Sequence, residues 1–544
     1  MAVSSDPASV LPFSHVPGVF APDREDSFRD YDAAMPPKRI LLWHGWLLEG
    51  TGSNVYTAKV AEMWRRQGHE VVVVCQERRV ARLEFVDAIA HAKPGKMSRI
   101  GTLRPGGTKG RVIVVRPEIG DILPVFVYDE YEAFEVKRFV DLEDRELDRY
   151  LDANVRSLEA IVQALPPDAV IAGHVVPGPV VARRALGDGA YVAKVHGSDL
   201  EYAVKLQERY ARLAREGLEG ATRVVGASRD VLARTAEVSP LPAERFRVIP
   251  PGVDVDRWRP RERREAFEDV ARRLSSDKET ERGRPSDGDR AVSERLRERD
   301  AAGLDVLART YDQAVPDPGA AERLGSLARS DSPLIGYLGK LIPEKGVERF
   351  VEALALLGPD VRGLIVGFGL FREWLAALVI ALDAGDVDAH RWLAEASPMQ
   401  LELEPEEVRA AAGLASRITF TGRLDHRYAP EAVAGMDALI VPSTLDEAFG
   451  MVAAEGAAAG ALPVVARHSS LAEVAEALEG AIGRPGGLSF EPGRGATRRL
   501  AERLESLLAE PPRERGELAD LARAHVAGEW TWEQTADGLL AATT

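Results

Sequence analysis

Short apolar runs alternate with longer amphipathic stretches along most of the chain. Arg39–Trp43 is an apolar run that predicts a buried strand, and a glycine loop follows from His44 to Asn54. A helix is expected over Val55–Gln67, closed by Gly68, and a second strand over His69–Cys75. Strand, loop, helix and strand in that order make a βαβ unit, the building block of a parallel sheet. The rhythm continues with a helix over Glu143–Ala164 and strands at Ala169–Ala172, Ala190–Val195 and Val224–Gly226. It restarts at Leu334–Leu338, with a loop to Gly346, a helix to Leu357 and a strand from Leu364. Phe371–Ala412 reads as mainly helical, and strands are expected at Ile418–Phe420, Asp437–Val441 and Val464–Ala466. Met451–Ala459 has helix-forming composition and is closed by Gly460, and two helices are expected over residues 496–544. Between the two series, Arg259–Asp331 is dense in Arg, Glu and Asp, with Pro, Gly and Ser breaks. Its low hydrophobicity predicts a mobile or helical surface insertion, with helical pieces such as Val292–Arg309. Met1–Pro37 reads as a loose tail.

The chemistry concentrates between Pro442 and Pro463. Glu447 lies in a loop at the mouth of the Met451–Ala459 helix, and Glu455 lies more than a turn inside it. The N–H groups around Phe449, Gly450 and Met451 have no acceptor within that helix and are available to an anion or a hydroxyl oxygen. Amide donors with two carboxylates suit a polyhydroxylated ligand carrying phosphate. His196-Gly-Ser-Asp199 follows a strand, where ligands of open α/β sheets lie. His174 is a second histidine in such a place. Gly50-x-Gly52 lets a ligand approach the backbone of the first turn. Glu77, after the second strand, has the place of a ribose-binding acid in a nicotinamide-binding fold, which keeps an oxidoreductase open. Lys340 and Lys345 flank a helix start, where a cation opposes the helix dipole and an anion between them restores the balance. Lys93, Lys96, Arg99, Arg104, Lys109 and Arg111 form a basic stretch that either faces water or meets an anionic acceptor or lipid headgroup. His468 either donates to phosphate or caps its own turn.

The string from Pro442 to Pro463 resembles the E-x7-E signature of retaining glycosyltransferases of family 4, the "group 1" type, which have the GT-B fold. The resemblance covers roughly residues 38–258 and 333–540. It implies an α/β architecture of two Rossmann-like domains facing across a cleft. The first, residues 38–258, takes the acceptor, and the second, residues 333–527, takes the nucleotide-sugar donor. Residues 259–332 form a charged connector, and a last helix over about 528–544 crosses back to the first domain through Trp530-Thr-Trp532-Glu533. The resemblance implies that Glu447, Phe449 and Gly450 hold the donor sugar, and that Glu455 takes the ribose hydroxyls. Lys345 and Lys340 meet the diphosphate, His196 contacts the sugar from the other domain, Leu424 lies by the base, and Gly52 lies between diphosphate and acceptor. Relatives carry an arginine where this chain has Lys340, which loses a planar two-point grip on phosphate. His468 and Ser469-Ser470 replace glycines common in that turn.

Composition narrows the function classes. The formal charge is −16, which weighs against nucleic acid as a partner. The single cysteine, Cys75, excludes an intrachain disulfide and reads as a buried bystander. No Cys/His cluster has metal-ligand spacing. Asp254-x-Asp256 sits in the connector, without the supporting ligands a metal needs. Neither a metal nor a cofactor is therefore expected. No apolar run approaches the ~20 residues of a membrane span, and residues 1–36 lack a signal-peptide pattern, so a cytoplasmic protein is expected. The activity that the resemblance implies is metal-independent hexosyl transfer, with retention, from a UDP-, GDP- or ADP-sugar to an unidentified hydroxyl acceptor. A homo-oligomer is compatible with the insertion. The rivals are a nucleotide-sugar epimerase or hydrolase on the same fold, and a non-catalytic nucleotide-sugar-binding protein.

Overall fold

The computed structural model describes residues 36–104, 110–127 and 134–544. The tail expected over residues 1–37 lies almost wholly outside them, as does Lys109. Two large sheets form, each with helices on both faces. The first has ten strands. From one edge the order is Phe246–Val248, Arg223–Gly226, Val192–Lys194, Ala169–Gly173, Arg39–Trp43, Glu70–Val74, Arg111–Pro117 and Ala88–Lys93, all parallel. Two short strands, Lys96–Met97 and Gly101–Thr102, run antiparallel to the last of these. A parallel sheet covered on both faces needs continuous apolar strands. Val71–Val74 and Val112–Val115 meet that need, and all of them are buried. Alternate residues divide between the faces. Leu41, Trp43, Val72 and Val74 join one core, and Ile40, Leu42, Val71 and Val73 join the other.

The second sheet has six parallel strands in the order Ile418–Phe420, Arg362–Phe368, Leu334–Lys340, Ala438–Val441, Leu462–Ala466 and Ser489–Phe490. Residues of the two sheets thus pack as α/β layers, and two Rossmann-like domains result. The helix Trp532–Ala541 packs on the first sheet, where Trp64 Nε1 donates to the Ala536 carbonyl at 3.0 Å.

Several boundaries differ from the expectations. The first helix spans Gly52–Arg66, so it begins inside the glycine loop. Residues 496–544 form three helices, Ala496–Ala509, Pro512–Glu529 and Trp532–Ala541, because Pro511 and Trp530-Thr531 each interrupt the run. The basic stretch is not a simple solvated loop. Ala88–Lys93 pairs along Arg111–Pro117, and its buried Ala88, Ala90 and Ala92 alternate with outward residues. The charged insertion is docked rather than loose. Arg263–Leu274, Gly288–Glu298, Ala301–Leu307 and Ala320–Leu327 are helices, and Phe267, Val270, Val292 and Leu324 are fully buried in the second core. The helix expected over Val292–Arg309 breaks at Arg299, which takes the left-handed conformation with φ 56°. Arg284 grips Glu373 at 2.8 and 2.9 Å, and both are buried. Tyr311 donates to the same carboxylate at 2.5 Å.

Candidate active site

The strand Ala438–Val441 runs between Leu334–Lys340 and Leu462–Ala466, and it delivers the Pro442–Phe449 loop to the carboxyl edge of the second sheet. Gly450 turns this loop into the Met451–Ala459 helix with φ 103°, a conformation that favours glycine. A Cβ there would meet Leu471 Cδ2 at 2.5 Å. Among the described residues nothing accepts from the Phe449, Gly450 or Met451 N–H groups. The Phe449 ring itself is buried edge-on against Trp530, with centroids 5.1 Å apart, so its backbone is the part left for a ligand.

Lys345 lies in the turn that follows the neighbouring strand Leu334–Lys340. The turn Pro343–Lys345 ends at Gly346, whose φ is 61°, and a Cβ at Gly346 would lie 2.3 Å from the Pro442 carbonyl oxygen. That close approach sets Lys345 beside the loop, and its Nζ is ion-paired to Glu447 Oε1. Lys345 therefore already has an anionic partner, rather than waiting bare at a helix start. The Thr444 and Leu445 N–H groups donate to the Glu344 carbonyl at 2.9 and 3.1 Å and hold the loop in place. Lys340 stands 6.0 Å over the Phe368 ring, and Arg423 shares that ring at 4.8 Å. The Leu424 side chain is buried in the core beside this turn.

Glu455 is 9% exposed, and its carboxylate has no hydrogen-bond partner among the described residues. Burial alone pushes its carboxyl up to about 8. A pair of sugar hydroxyls would supply the missing donors.

The first sheet brings three histidines to the same edge, because His44, His174 and His196 each follow one of three adjacent parallel strands. The His174 and His196 rings are 4.6 Å apart, and the His44 and His174 rings 5.7 Å. Burial, then His174, Lys194 and His44, hold His196 well below its ordinary value, so its imidazole is neutral. A neutral imidazole suits a sugar hydroxyl better than a phosphate. Next to it, Gly197 has φ 93° and abuts Ala448, to within 3.1 Å of a Cβ placed on the glycine. His196 and Glu447 thus belong to two loops in contact across the cleft. Among the described residues, Tyr56 Oη, His174 Nδ1 and Asp199 Oδ1 are buried without a hydrogen-bond partner in the same region. Gly52 lies exposed at the helix start, with open space where a Cβ would stand.

Other expected residues have structural roles. Glu77 is buried and accepts from the Leu48 and Arg79 N–H groups at 3.1 and 2.8 Å, so its carboxylate is occupied by backbone and does not have the place of a ribose acid. Asp254 pairs with Lys59 at 3.3 Å. His468 lies 2.7 Å by Nε2 from the Ser443 carbonyl and 3.5 Å by Nδ1 from Asp446. It braces the Glu447 loop. Among the described residues no group of three His, Cys, Asp or Glu side chains could hold a metal, and no helix is long and apolar enough to cross a membrane.

Two residues of the site carry no sequence motif. Arg234 is almost fully buried; it donates to the Glu447 carbonyl at 2.9 Å and pairs with Asp230 and Glu201. Burial first, then the charges of Glu344, Glu447 and Glu201, push the Tyr202 hydroxyl up to about 12, so it remains a donor beside Glu447. The only sequence signal is that Tyr202 follows His196-Gly-Ser-Asp199 closely. Ser228 and Glu473 also bridge the cleft. Ser228 Oγ donates to the Ala448 carbonyl at 3.0 Å, and Glu473 accepts from the Arg229 and Asp230 N–H groups at 3.0 and 2.7 Å.

Comparison with known proteins bears on this arrangement. The family model "Glycosyltransferase Family 4" matches residues 50–257, and "Glycosyl transferases group 1" matches residues 321–524. The chain is 26% identical over 242 residues to a GDP-mannose-dependent monoacylated alpha-(1-6)-phosphatidylinositol monomannoside mannosyltransferase of Corynebacterium glutamicum, covering 43% of this chain and 52% of that protein. It is 29% identical over 253 residues to a D-inositol 3-phosphate glycosyltransferase of Segniliparus rotundus, covering 44% and 47%. The chain thus spans about half the length of each of these two relatives. In fold it is similar to sucrose-phosphate synthase of Thermosynechococcus elongatus, with a TM-score of 0.55, 17% identity and coverage of 93% and 98%. It is also similar to HepE of Anabaena in complex with UDP and glucose, with a TM-score of 0.55, 15% identity and the same coverage. These likenesses show the GT-B fold.

Proposed function

Because the chain belongs to the group 1, family 4 glycosyltransferases, as the two matched family models show, we propose that it moves a hexosyl group from a nucleoside-diphosphate sugar to a hydroxyl acceptor, with retention and without a metal. One observation carries this reading. Lys345 and Glu447 are paired at the mouth of a helix whose first amides have no acceptor among the described residues, opposite the His196 loop. The curated relatives, named mannosyl-, glucosyl-, kanosaminyl- and glycosyltransferases, support it.

In this reading the donor diphosphate lies against the Phe449–Met451 amides and the Lys345 ammonium. Both stabilise the negative charge that develops on the leaving group. Glu447 and the neutral His196 hold the sugar hydroxyls from opposite sides, and Glu455 takes the ribose hydroxyls. Retention follows if the acceptor attacks on the leaving-group face, its proton passing to the donor phosphate. Glu447 is then a positioning residue. The contacts of Ser228, Arg234 and Glu473 across the cleft hold the two loops together and keep out water, which would otherwise hydrolyse the donor.

The test is a thermal-shift screen across UDP-, GDP- and ADP-sugars with EDTA present, followed by transfer assays. A shift with one donor fixes the base and supports a metal-independent site. No shift with any donor overturns the reading. Glu447→Gln and Lys345→Ala are each expected to abolish transfer while the chain stays folded. Near-normal turnover in either variant would sink the site assignment.

A further inference from the structure

The charged insertion reaches the ligand edge of the second sheet. Residues 258–320 fall between the two matched family models. Within them, Pro316 bridges antiparallel to Gly422, in the turn that follows the edge strand Ile418–Phe420. The Asp317 N–H donates to the Thr421 carbonyl at 2.8 Å, and the Arg423 N–H donates to the Val315 carbonyl at 3.3 Å. Gly422, with φ 71°, passes so near that a Cβ would meet the Asp317 nitrogen at 2.7 Å. Covering the edge of a sheet is reason enough for these contacts. It does not account for Gln313, which extends past the edge strand to the next one. Gln313 Oε1 accepts from the Gly369 N–H at 3.2 Å, in the turn after Arg362–Phe368, and its Nε2 donates to the Ala308 carbonyl. The Gly367 N–H donates to the Gly422 carbonyl at 3.1 Å and joins the same two turns. One short segment of the insertion thus holds two turns at the carboxyl ends of adjacent parallel strands, where ligands of such sheets lie.

The nucleoside end of a donor is directed toward these turns. The opposite side is closed. Ser470 Oγ donates to the Glu447 carbonyl at 2.8 Å, and Glu473 accepts from the Arg229 and Asp230 N–H groups of the first domain. On the near side, the helix Met451–Ala459, which carries Glu455, packs against Ala429–Ala434, the helix that leads out of residues 422–428. A nucleotide with its ribose at Glu455 therefore sets its base by residues 422–424. Leu424 is buried there, and among the described residues nothing accepts from its N–H. The polar edge of a base supplies that acceptor.

We propose that residues 313–317 of the insertion set the choice of nucleobase, with Gln313 as the positioning residue that fixes the Gly369 and Gly422 turns. The inference rests on the transferase reading and adds the device that selects the donor's base. Gln313 does not itself read the base, because its amide oxygen and nitrogen are both engaged. It acts by holding the backbone that does.

Calorimetric titration of the full chain with UDP, GDP, ADP and inorganic pyrophosphate tests this. Pyrophosphate reads the Lys345 ammonium and the helix amides without a nucleoside. Gln313→Met fills the same space and loses the acceptor for Gly369, whereas Gln313→Glu keeps it. Gln313 is half-buried, and circular dichroism checks that both variants keep the fold. In Gln313→Met the preferred nucleotide is expected to bind about tenfold more weakly, and the spread among the three nucleotides to shrink. Pyrophosphate is expected to bind as in wild type, and Gln313→Glu to keep the wild-type ranking. An unchanged ranking in Gln313→Met, whether affinity holds or falls equally for all three, overturns the inference. Equal losses in both variants also overturn it, since they mark a packing role. A wild-type chain that binds the three nucleotides alike overturns it and leaves the transferase reading standing; one that binds none of them removes that reading first.

Discussion

Glu455 sets a pH dependence that a single substitution can isolate. Its carboxyl is pushed from 4.5 to about 8 in the folded chain. The unfolded chain gives up that proton near 4.5, so between the two values the folded state binds more protons. Stability is therefore full below about 4.5 and falls as pH rises toward 8, by at most about 1.4 kcal/mol per pH unit. Glu455→Gln removes this slope. The melting temperature of the variant relative to wild type is expected to be higher at pH 8 than at pH 5; an equal difference at both would show the carboxyl to be ordinary. In the proposed complex, ribose hydroxyls pair with the ionised form. Donor binding at pH 7 should then release a proton, seen as a buffer-dependent binding enthalpy that disappears in the variant. At this scale the sequence is readable where one motif holds the chemistry. Glu447, Gly450 and Glu455 share a single loop and helix, so their spacing alone places them together. Arg234 is invisible by the same logic, because its contact with Glu447 joins positions 213 apart and depends on how two sheets meet.

Elements differ in how much of their surroundings their own pattern records. The strand Glu70–Val74 is buried on both faces and reads as an unbroken apolar run. Ala88–Lys93 is half exposed, with His91 and Lys93 outward, and its small alanines give too weak an alternation to stand against the charges around it. The insertion misleads for a related reason. Its charges suggest a solvated segment, yet Arg284 is spent on the buried Glu373, where neither partner is legible from the other's position. Arg284→Ala leaves a carboxylate buried with Tyr311 as its one hydrogen-bond donor among the described residues, and breaking such a pair costs about 3–5 kcal/mol. A lower denaturant midpoint is expected. Glu373→Leu combined with Arg284→Met should recover much of the loss. A single variant as stable as wild type would show that the insertion does not brace this domain. The helix Arg229–Val238 gives a second test. Glu473, from the other domain, accepts two of its first N–H groups. Glu473→Ala is expected to keep both sheets by circular dichroism and to raise the radius of gyration in small-angle scattering. An unchanged radius would mean that this contact does not hold the cleft.

The whole molecule is a single chain that leaves its first sheet and returns to it. The return is legible in Trp530-Thr-Trp532-Glu533, while its energetic weight follows only from the packing. Trp532, Ala536, Leu539 and Leu540 are buried against the helix Gly52–Arg66 and the strands beneath it. Thr535 Oγ1 donates to the Pro250 carbonyl at 2.9 Å, and the Val253 N–H donates to the Trp530 carbonyl at 2.8 Å. Gly252 passes so near that a Cβ would stand 2.2 Å from the Trp532 nitrogen. Full burial of a large apolar side chain contributes about 1.5–3 kcal/mol, so Trp532, Leu539 and Leu540 together contribute roughly 5–9 kcal/mol. The whole margin of a domain is about 5–15 kcal/mol. The first domain therefore depends on a segment nearly three hundred residues beyond its last strand. Ending the chain after Gly528 is expected to unfold the first domain and spare the second. Limited proteolysis should then release a protected fragment carrying the Leu334–Phe490 sheet, with cleavage throughout residues 38–258. The milder Leu539→Ala should lower the first of two unfolding transitions and leave the second in place. If both domains instead unfold together in the truncated chain, the contacts across the cleft, and not the returning helix alone, bind the two folding units into one.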